Sequence, residues 1–121
     1  MREPEILLKR AQEPAAPGDG YRVLVDRLWP RGKSKVSLAI DEWRRDLAPS
    51  DELRRWFGHD PARWSEFQRR YRAELRDKTE ELDELLAKPR LTLVFGARDE
   101  QHNQAVVLRK RLLERFRRTH R

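Results

Sequence analysis

Read as alternating apolar and polar positions, the chain opens on a short apolar run. Ile6-Leu7-Leu8, within Glu5 to Lys9, predicts a first strand. Pro14, Pro17 and Gly18-Asp19-Gly20 then mark a loop. Tyr21-Arg22-Val23-Leu24-Val25 is apolar and β-branched and stops at Asp26, the pattern of a buried strand. These two strands are placed to pair as a hairpin-like unit, although the loop between them is long enough for other arrangements. Residues 26–40 read as an extended loop, because Pro30 turns Trp29 away from helical angles and Lys33-Ser34-Lys35 keeps the segment polar. A short helix is expected near Ile40 to Leu47.

Helical periodicity takes over from there. Ser50 reads as an N-cap followed by Asp51-Glu52, and the helix carrying Leu53, Trp56 and Phe57 stops at Gly58. Asp60-Pro61 restarts it as cap and first helical residue. Trp64, Phe67, Tyr71, Leu75, Leu82 and Leu86 form an amphipathic stripe that predicts one helix to about Lys88, nearly 40 Å long at about 1.5 Å per residue. Pro89 ends it. Leu91-Thr92-Leu93-Val94-Phe95 predicts another strand, closed by Gly96-Ala97. Arg98-Asp99 leads into a last helix with Ala105, Leu108, Leu112 and Phe116 on its buried face. A long helical crossover between the strands at 21–25 and 91–95 favours a parallel pair. The expected fold is α/β, a small mixed sheet with a parallel strand pair, flanked by helices in three layers.

Composition narrows the setting. The length of 121 residues fits a single domain, 1–121. Charged residues reach 40% and hydrophobic ones only 37%, a balance that raises disorder. Four Trp, four Phe and two Tyr argue against it, since disordered chains are poor in aromatics. The chain has no Cys, which removes disulfides, thiolate zinc sites and cysteine nucleophiles. No signal-peptide pattern or long apolar run is visible, so a cytoplasmic location and no membrane partner are expected. The net charge of +7 suits an anionic small molecule or nucleic acid; an Arg-rich surface without a partner is the more economical explanation.

If the two strands are parallel, their carboxyl ends share one edge, where open α/β sheets bind ligands. Arg27 and Arg31, then Arg98, would meet a phosphate or carboxylate there; Trp29 would stack on a ring, and Asn103 would contribute a polar contact beside the helix start. Asp26, Asp99 and His102 are the candidate acid–base residues. Each has a plainer explanation: Asp26 and Arg27 as ion-pairing groups at a strand end, Trp29 as a loop anchor, Asp99 as a helix cap, His102 as a surface residue. No phosphate-binding glycine loop follows a strand, no Ser sits at a nucleophile elbow, and His59, His102 and His120 show no metal spacing. The sequence leaves any cofactor unidentified.

The run Gly20-Tyr-Arg-Val-Leu-Val-Asp-Arg-Leu-Trp-Pro-Arg-Gly32 closely resembles the YeaO-like bacterial proteins, a branch of domain-of-unknown-function family 488. Trp43, Ala48-Pro-Ser50, Leu53, Arg54, Trp56, Phe57, His59-Asp60-Pro61, Trp64, Phe67 and Tyr71 extend the resemblance, and Thr92-Leu93, Asp99, His102-Asn103 and Ala105 close it. It covers nearly the whole chain. The resemblance implies a cytosolic α/β protein and brings no activity with it. In longer relatives an Asp-Val-Arg-like segment follows a strand and a Cys-His-Arg-like segment precedes the last helix. Asp26-Arg27 matches the first, and Gln101-His102-Asn103 stands in place of the second without its thiol. The resemblance therefore implies one shared site but no cysteine chemistry.

Three functional expectations result. The first is an anionic, nucleotide or phosphate-bearing ligand at the strand ends, held by Arg27, Arg31, Arg98 and the start of the last helix. The second is a nucleic-acid-binding module using the basic last helix and Lys33/Lys35. The third is a small hydrolase or transferase using Asp26, Asp99 and His102. The aromatic corner at Trp56, Phe57 and Trp64 leaves an oligomeric role open.

Overall fold

The computed structural model describes residues 2–120. Among them the first apolar run forms β1 (Glu5–Arg10), and the run before Asp26 forms β2 (Tyr21–Leu24). With β3 (Glu42–Trp43) and β4 (Arg90–Phe95) they make one sheet of order β1-β4-β2-β3. The α/β class holds, and so does the parallel pairing of the strands at 21 and 91. Two details are corrected: every pairing is parallel, so the sheet is not mixed, and β1 does not form a hairpin with β2. β4 lies between them, with Ile6 opposite Leu91 on one side and Val23 opposite Leu93 on the other. The reason is apolarity on both faces: Leu91 through Phe95 are all buried, which suits a central strand, whereas β1 leaves Leu7 37% exposed and takes an edge.

The two faces are covered unequally. On one, Ile6, Val23, Leu91, Leu93 and Phe95 meet the helices α2 (Asp51–Phe57), α3 (Trp64–Leu75), α4 (Thr79–Leu86) and α5 (Gln104–Thr119). On the other, Leu24 and Val94 meet only Ala11, Trp29, Leu38, Ile40 and Trp43. This thin cover comes from the loop after β1 and from segment 26–40, which is not wholly extended as expected. It contains one helical turn, α1 (Lys35–Leu38), whose N-cap Ser34 accepts from the Ser37 N–H at 3.0 Å. The helix expected near 40–47 is instead β3 followed by a single 3₁₀ turn. The open edge of β2 captures this segment: Asp41 N–H donates to Arg22 O at 2.7 Å and Arg44 N–H to Leu24 O at 2.9 Å.

The single long helix expected to Lys88 is also two. Between α3 and α4 the Arg76 N–H donates to Ala73 O and the Lys78 N–H to Leu75 O, three residues back rather than four. A continuous helix from 64 to 88 would run about 38 Å, against about 20 Å for a six-residue strand. The break returns Leu82, Leu85 and Leu86 to the core that Phe67, Tyr71 and Leu75 line. The aromatic corner packs into the same core: Phe57 stacks on Phe67 with ring centroids 4.2 Å apart, and the Arg70 guanidinium covers the Trp56 ring at 4.2 Å.

The thin face carries a buried ion cluster. The Asp19 carboxylate accepts from Lys9 Nζ at 3.1 Å, Arg22 Nη1 at 2.7 Å and the Ala16 N–H at 3.0 Å. Arg22 also donates to Leu38 O and Ala39 O, tying β2 to α1. Burial alone would raise the Asp19 pKa, but the Ala16 N–H, Lys9 and Arg22 outweigh it and hold the carboxyl below its ordinary value. Gly20 follows at φ 67°, where a Cβ would lie 2.5 Å from Arg90 O, so no larger residue fits between this loop and β4. No helix among the described residues is long and apolar enough to cross a membrane.

Candidate functional site

Both central strands end at residues that leave the sheet together. Beyond β2 comes Asp26; beyond β4 comes Gly96. The Asp26 Oδ2 accepts from the Gly96 N–H at 2.8 Å, and Oδ1 accepts from Gln104 Nε2 at the start of α5. Trp43 Nε1, on β3, donates to the Asp26 backbone carbonyl at 2.7 Å. Asp26 is thus the knot between three strand ends and a helix. The glycine is required by proximity, since a Cβ at Gly96 would stand 2.9 Å from Asp26 Oδ2.

Among the described residues no arginine or lysine forms an ion pair with the carboxyl. Burial pushes its pKa up to about 6, and the Gly96 and Gln104 hydrogen bonds recover only part of the shift. Tyr71, fully buried beneath, donates its hydroxyl to Leu47 O at 2.6 Å. Burial first, then the Glu74 and Asp26 charges, holds that phenol protonated far above its ordinary range.

Asp26 opens into a cleft of about 190 Å³. Arg27, Arg54, His59 and Pro49 line it with Leu28, and the Gly96-Ala97 backbone and Gln104 complete it. Arg27 is oriented by its Nε donating to Pro49 O at 2.9 Å. Arg54, on α2, spends Nε and Nη2 on Asp51 at 3.3 and 2.8 Å. Ser50 starts that helix as expected, accepting from the Leu53 N–H, and its own hydroxyl donates to Glu74 Oε2 at 2.6 Å. His59 turns toward the cleft at φ 56°, directly after the helix ends. A second hollow shares His59 and Gly96-Ala97 as walls and adds Arg98 and Asp99, so the two adjoin.

The remaining sequence candidates divide. Asp26 and Arg27 share the cleft, and Arg98 and Asp99 lie along its extension. His102 lines neither hollow. Its Nδ1 pairs with Asp99 Oδ2 at 2.8 Å, and its ring stands edge-on to Trp64 at 5.2 Å. Asp99 Oδ1 accepts from the Gln101 and His102 N–H groups; the Gln101 bond and then His102 hold its pKa below the ordinary value. Asp99 therefore caps a turn, not the last helix. Asn103 caps that helix: it is 1% exposed, its Oδ1 accepts from the Ala105 and Val106 N–H groups, and its Nδ2 donates to Asp99 O. Asn103 thus serves the backbone on both sides, and the amides of 105 and 106 are taken by its Oδ1. Trp29 lies on the thin face, edge-on to Trp43 at 5.3 Å, with Nε1 bonded to Lys33 O. Arg31 is exposed on the same strap and lines neither hollow. Lys33 and Lys35 belong to that strap too, across the sheet from α5, so they and the basic last helix do not form one surface.

Arg54, His59 and Gln104 were not among the sequence candidates. Arg54 and His59 come from the segment after Ser50 and reach the site only through the packing of α2; nothing local marks them. Gln104 had a local signal, as the residue after an Asn that begins a periodic helix. Among the described residues no group of three or more His, Asp or Glu is placed to hold a metal ion.

The comparisons with known proteins agree with this architecture's extent. A family model described as the inactive DUF488-N3 subclade matches residues 5–121. The Uncharacterized protein YeaO of Escherichia coli (strain K12) is 43% identical over 106 residues, which is 85% of this chain and 92% of that protein. The Uncharacterized protein Rv3073c of Mycobacterium tuberculosis (strain ATCC 25618 / H37Rv) is 41% identical over 110 residues, 89% of this chain and 93% of that one. No solved structure matches the chain. On the full-length family match and on relatives above 40% identity, the chain belongs to the YeaO-like proteins of the inactive DUF488-N3 subclade.

Proposed function

We infer that the chain binds an anionic small molecule, a phosphate ester or nucleotide, in the cleft at the carboxyl ends of β2 and β4, and holds it without transforming it. One observation carries the reading: Arg27, Arg54 and His59 converge on a single cleft at the end of a parallel sheet, the edge where open α/β folds take ligands. Arg27 engages only its Nε, which leaves both Nη nitrogens to fork onto a phosphate or carboxylate. Arg54 keeps Nη1 free of Asp51. Arg98 stands on the extension of the cleft, where the rest of a nucleotide-sized ligand would lie. At the base, Asp26 contributes by its protonation state: neutral, it donates a hydrogen bond to a ligand oxygen; ionised, it repels the ligand.

Binding is favoured over catalysis on two grounds. His102, the natural general base, is turned onto Asp99 and Trp64 and lines no part of the cleft. The subclade's own description is inactive.

Sulfate, a dianion at every pH used, and adenosine monophosphate are the probes, read by thermal shift and calorimetry. Both are expected to raise the wild-type Tm by mass action. The Arg27→Ala/Arg54→Ala variant is expected to bind at least about tenfold more weakly while remaining folded by circular dichroism. Sulfate affinity is expected to rise as the pH falls from about 7 to about 5, and to rise less steeply in Asp26→Asn than in wild type. A wild-type protein indifferent to both probes, or a double variant that binds as wild type does, would sink the reading.

A further inference from the structure

The strongest concentration of unneutralised charge lies away from the cleft, between α3 and α5. The two helices run side by side in the same direction: Trp64 meets His102 near their starts, and Arg72 Nη1 meets Glu114 Oε1 at 2.8 Å further along. A groove of about 380 Å³ separates their outer faces, lined by Arg69, Arg72, Arg76, Arg111 and Arg118 with one carboxylate, Glu114. Glu114 is occupied by Arg72, and Arg69 pairs with Glu66 on the outside of α3. Among the described contacts Arg76, Arg111 and Arg118 have no acidic partner. Helix-end electrostatics explains Arg76 and Arg118, each at a C-terminal turn. It does not explain Arg111, in the middle of α5, whereas Arg69 is held by Glu66 and turns only part of its guanidinium to the groove. Arg111 is half-buried. Burial, and the charges of Arg118, Arg115 and Arg72, hold its pKa below the ordinary value in spite of Glu114.

The shape of this charge selects a ligand. From Arg69 to Arg76, and from Arg111 to Arg118, seven residues carry each row about 10 Å along the groove. That is the axial run of about three phosphates of one strand in a duplex, at about 3.4 Å each. No lining residue of the groove is aromatic, because Phe67 and Tyr71 on α3 are turned into the core. The groove thus has donors for phosphate oxygens and no ring on which a base could stack. We propose that the groove between α3 and α5 binds the phosphodiester backbone of a nucleic-acid strand through these five arginines, without reading its bases. The groove begins about two turns along α5 from Gln104, so this proposal and the cleft reading stand or fall separately.

The test is fluorescence anisotropy with a labelled double-stranded oligonucleotide of mixed sequence, over a salt series. The expected result is an affinity whose logarithm falls linearly with log salt, with a slope near about −0.9 per phosphate contacted. Arg76→Gln/Arg118→Gln changes two exposed residues and should shallow that slope by about 1.8. A control, Lys33→Gln/Lys35→Gln, makes the same change in net charge on the opposite face and should leave the slope as in wild type. If the double change does not fold, Arg118→Gln alone should shallow the slope by about 0.9. Three results overturn the proposal: no binding at low salt, equal weakening by groove and control variants, or binding of tripolyphosphate with none of the oligonucleotide.

Discussion

At the scale of a single residue, Asp26 is the most consequential side chain. It sits where β2, β3, β4 and α5 meet, hydrogen-bonded by neutral donors and, among the described residues, ion-paired to no cation. Its folded pKa of about 6 lies above the ordinary 3.8, so the ionised form is the disfavoured one in the folded state. The sign follows: Asp26 costs nothing where it is protonated in both states, and it destabilises the fold increasingly as the pH rises from about 4 through 6. At about 1.4 kcal/mol per tenfold, the penalty reaches up to about 3 kcal/mol at neutral pH. Asp26→Asn removes the charge, and Gln104 can turn its amide to serve the new one. That variant is expected to exceed wild type in urea denaturation by up to about 3 kcal/mol at about pH 8, and to match it within about 1 kcal/mol at about pH 4. Two parallel stability curves across this range would mean that Asp26 is not the neutral-leaning group described.

At the scale of elements, the start of α5 governs the rim of the cleft. Asn103 both caps the helix and holds Asp99 O, so one side chain sets the pitch of Gln104 and the turn at 99–102. Asn103→Ala is expected to cost about 1–2 kcal/mol and to speed amide exchange at Ala105 and Val106 and also at Gln101 and His102. Faster exchange at Ala105 and Val106 alone would show that the cap and the turn are independent. The elements also show what a sequence discloses. Features set by local chemistry were legible: the apolar runs of β2 and β4, Ser50 and Gly58 bounding α2, Asp60-Pro61, and Asp26-Arg27 at a strand end. Features set by distant partners were not. Glu42–Trp43 becomes a strand because the edge of β2 is free, not because of its own composition. The stripe from Trp64 to Leu86 has one helical period throughout, and only the size of the sheet demands the break at 76–78. The site divides likewise: Asp26 and Arg27 follow from strand order, whereas Arg54 and His59 arrive through the packing of α2. Asn103, read as a ligand contact, is consumed by the backbone beside it.

At the scale of the whole molecule, the two sides of the sheet are held by different forces. One side is a helical layer with an extensive apolar core; the other is a thin strap, and there the ion cluster of Lys9, Asp19 and Arg22 takes the place of hydrophobic depth. Arg22 and Asp19 are only 5% and 7% exposed at their side chains, so their charges depend on each other rather than on water. The two possible breaks are unequal. Arg22→Met leaves Asp19 with Lys9 and the Ala16 N–H, whereas Asp19→Asn leaves two cations facing a neutral amide. Asp19→Asn is therefore expected to cost more, about 3–5 kcal/mol by denaturation. Combining it with Arg22→Met should cost less than the two single changes added, by on the order of 2 kcal/mol, because the second change removes the charge that the first one stranded. Acid gives an independent check. The Asp19 pKa is lowered by folding, so its contribution is present above the ordinary carboxylate value and lost as the pH falls through the folded one, the reverse of Asp26. From these two groups wild type should be most stable at about pH 4, weakened below by Asp19 and above by Asp26. Additive single changes, with the acid limb unaltered in Asp19→Asn, would mean that the thin face is held by its few apolar contacts alone.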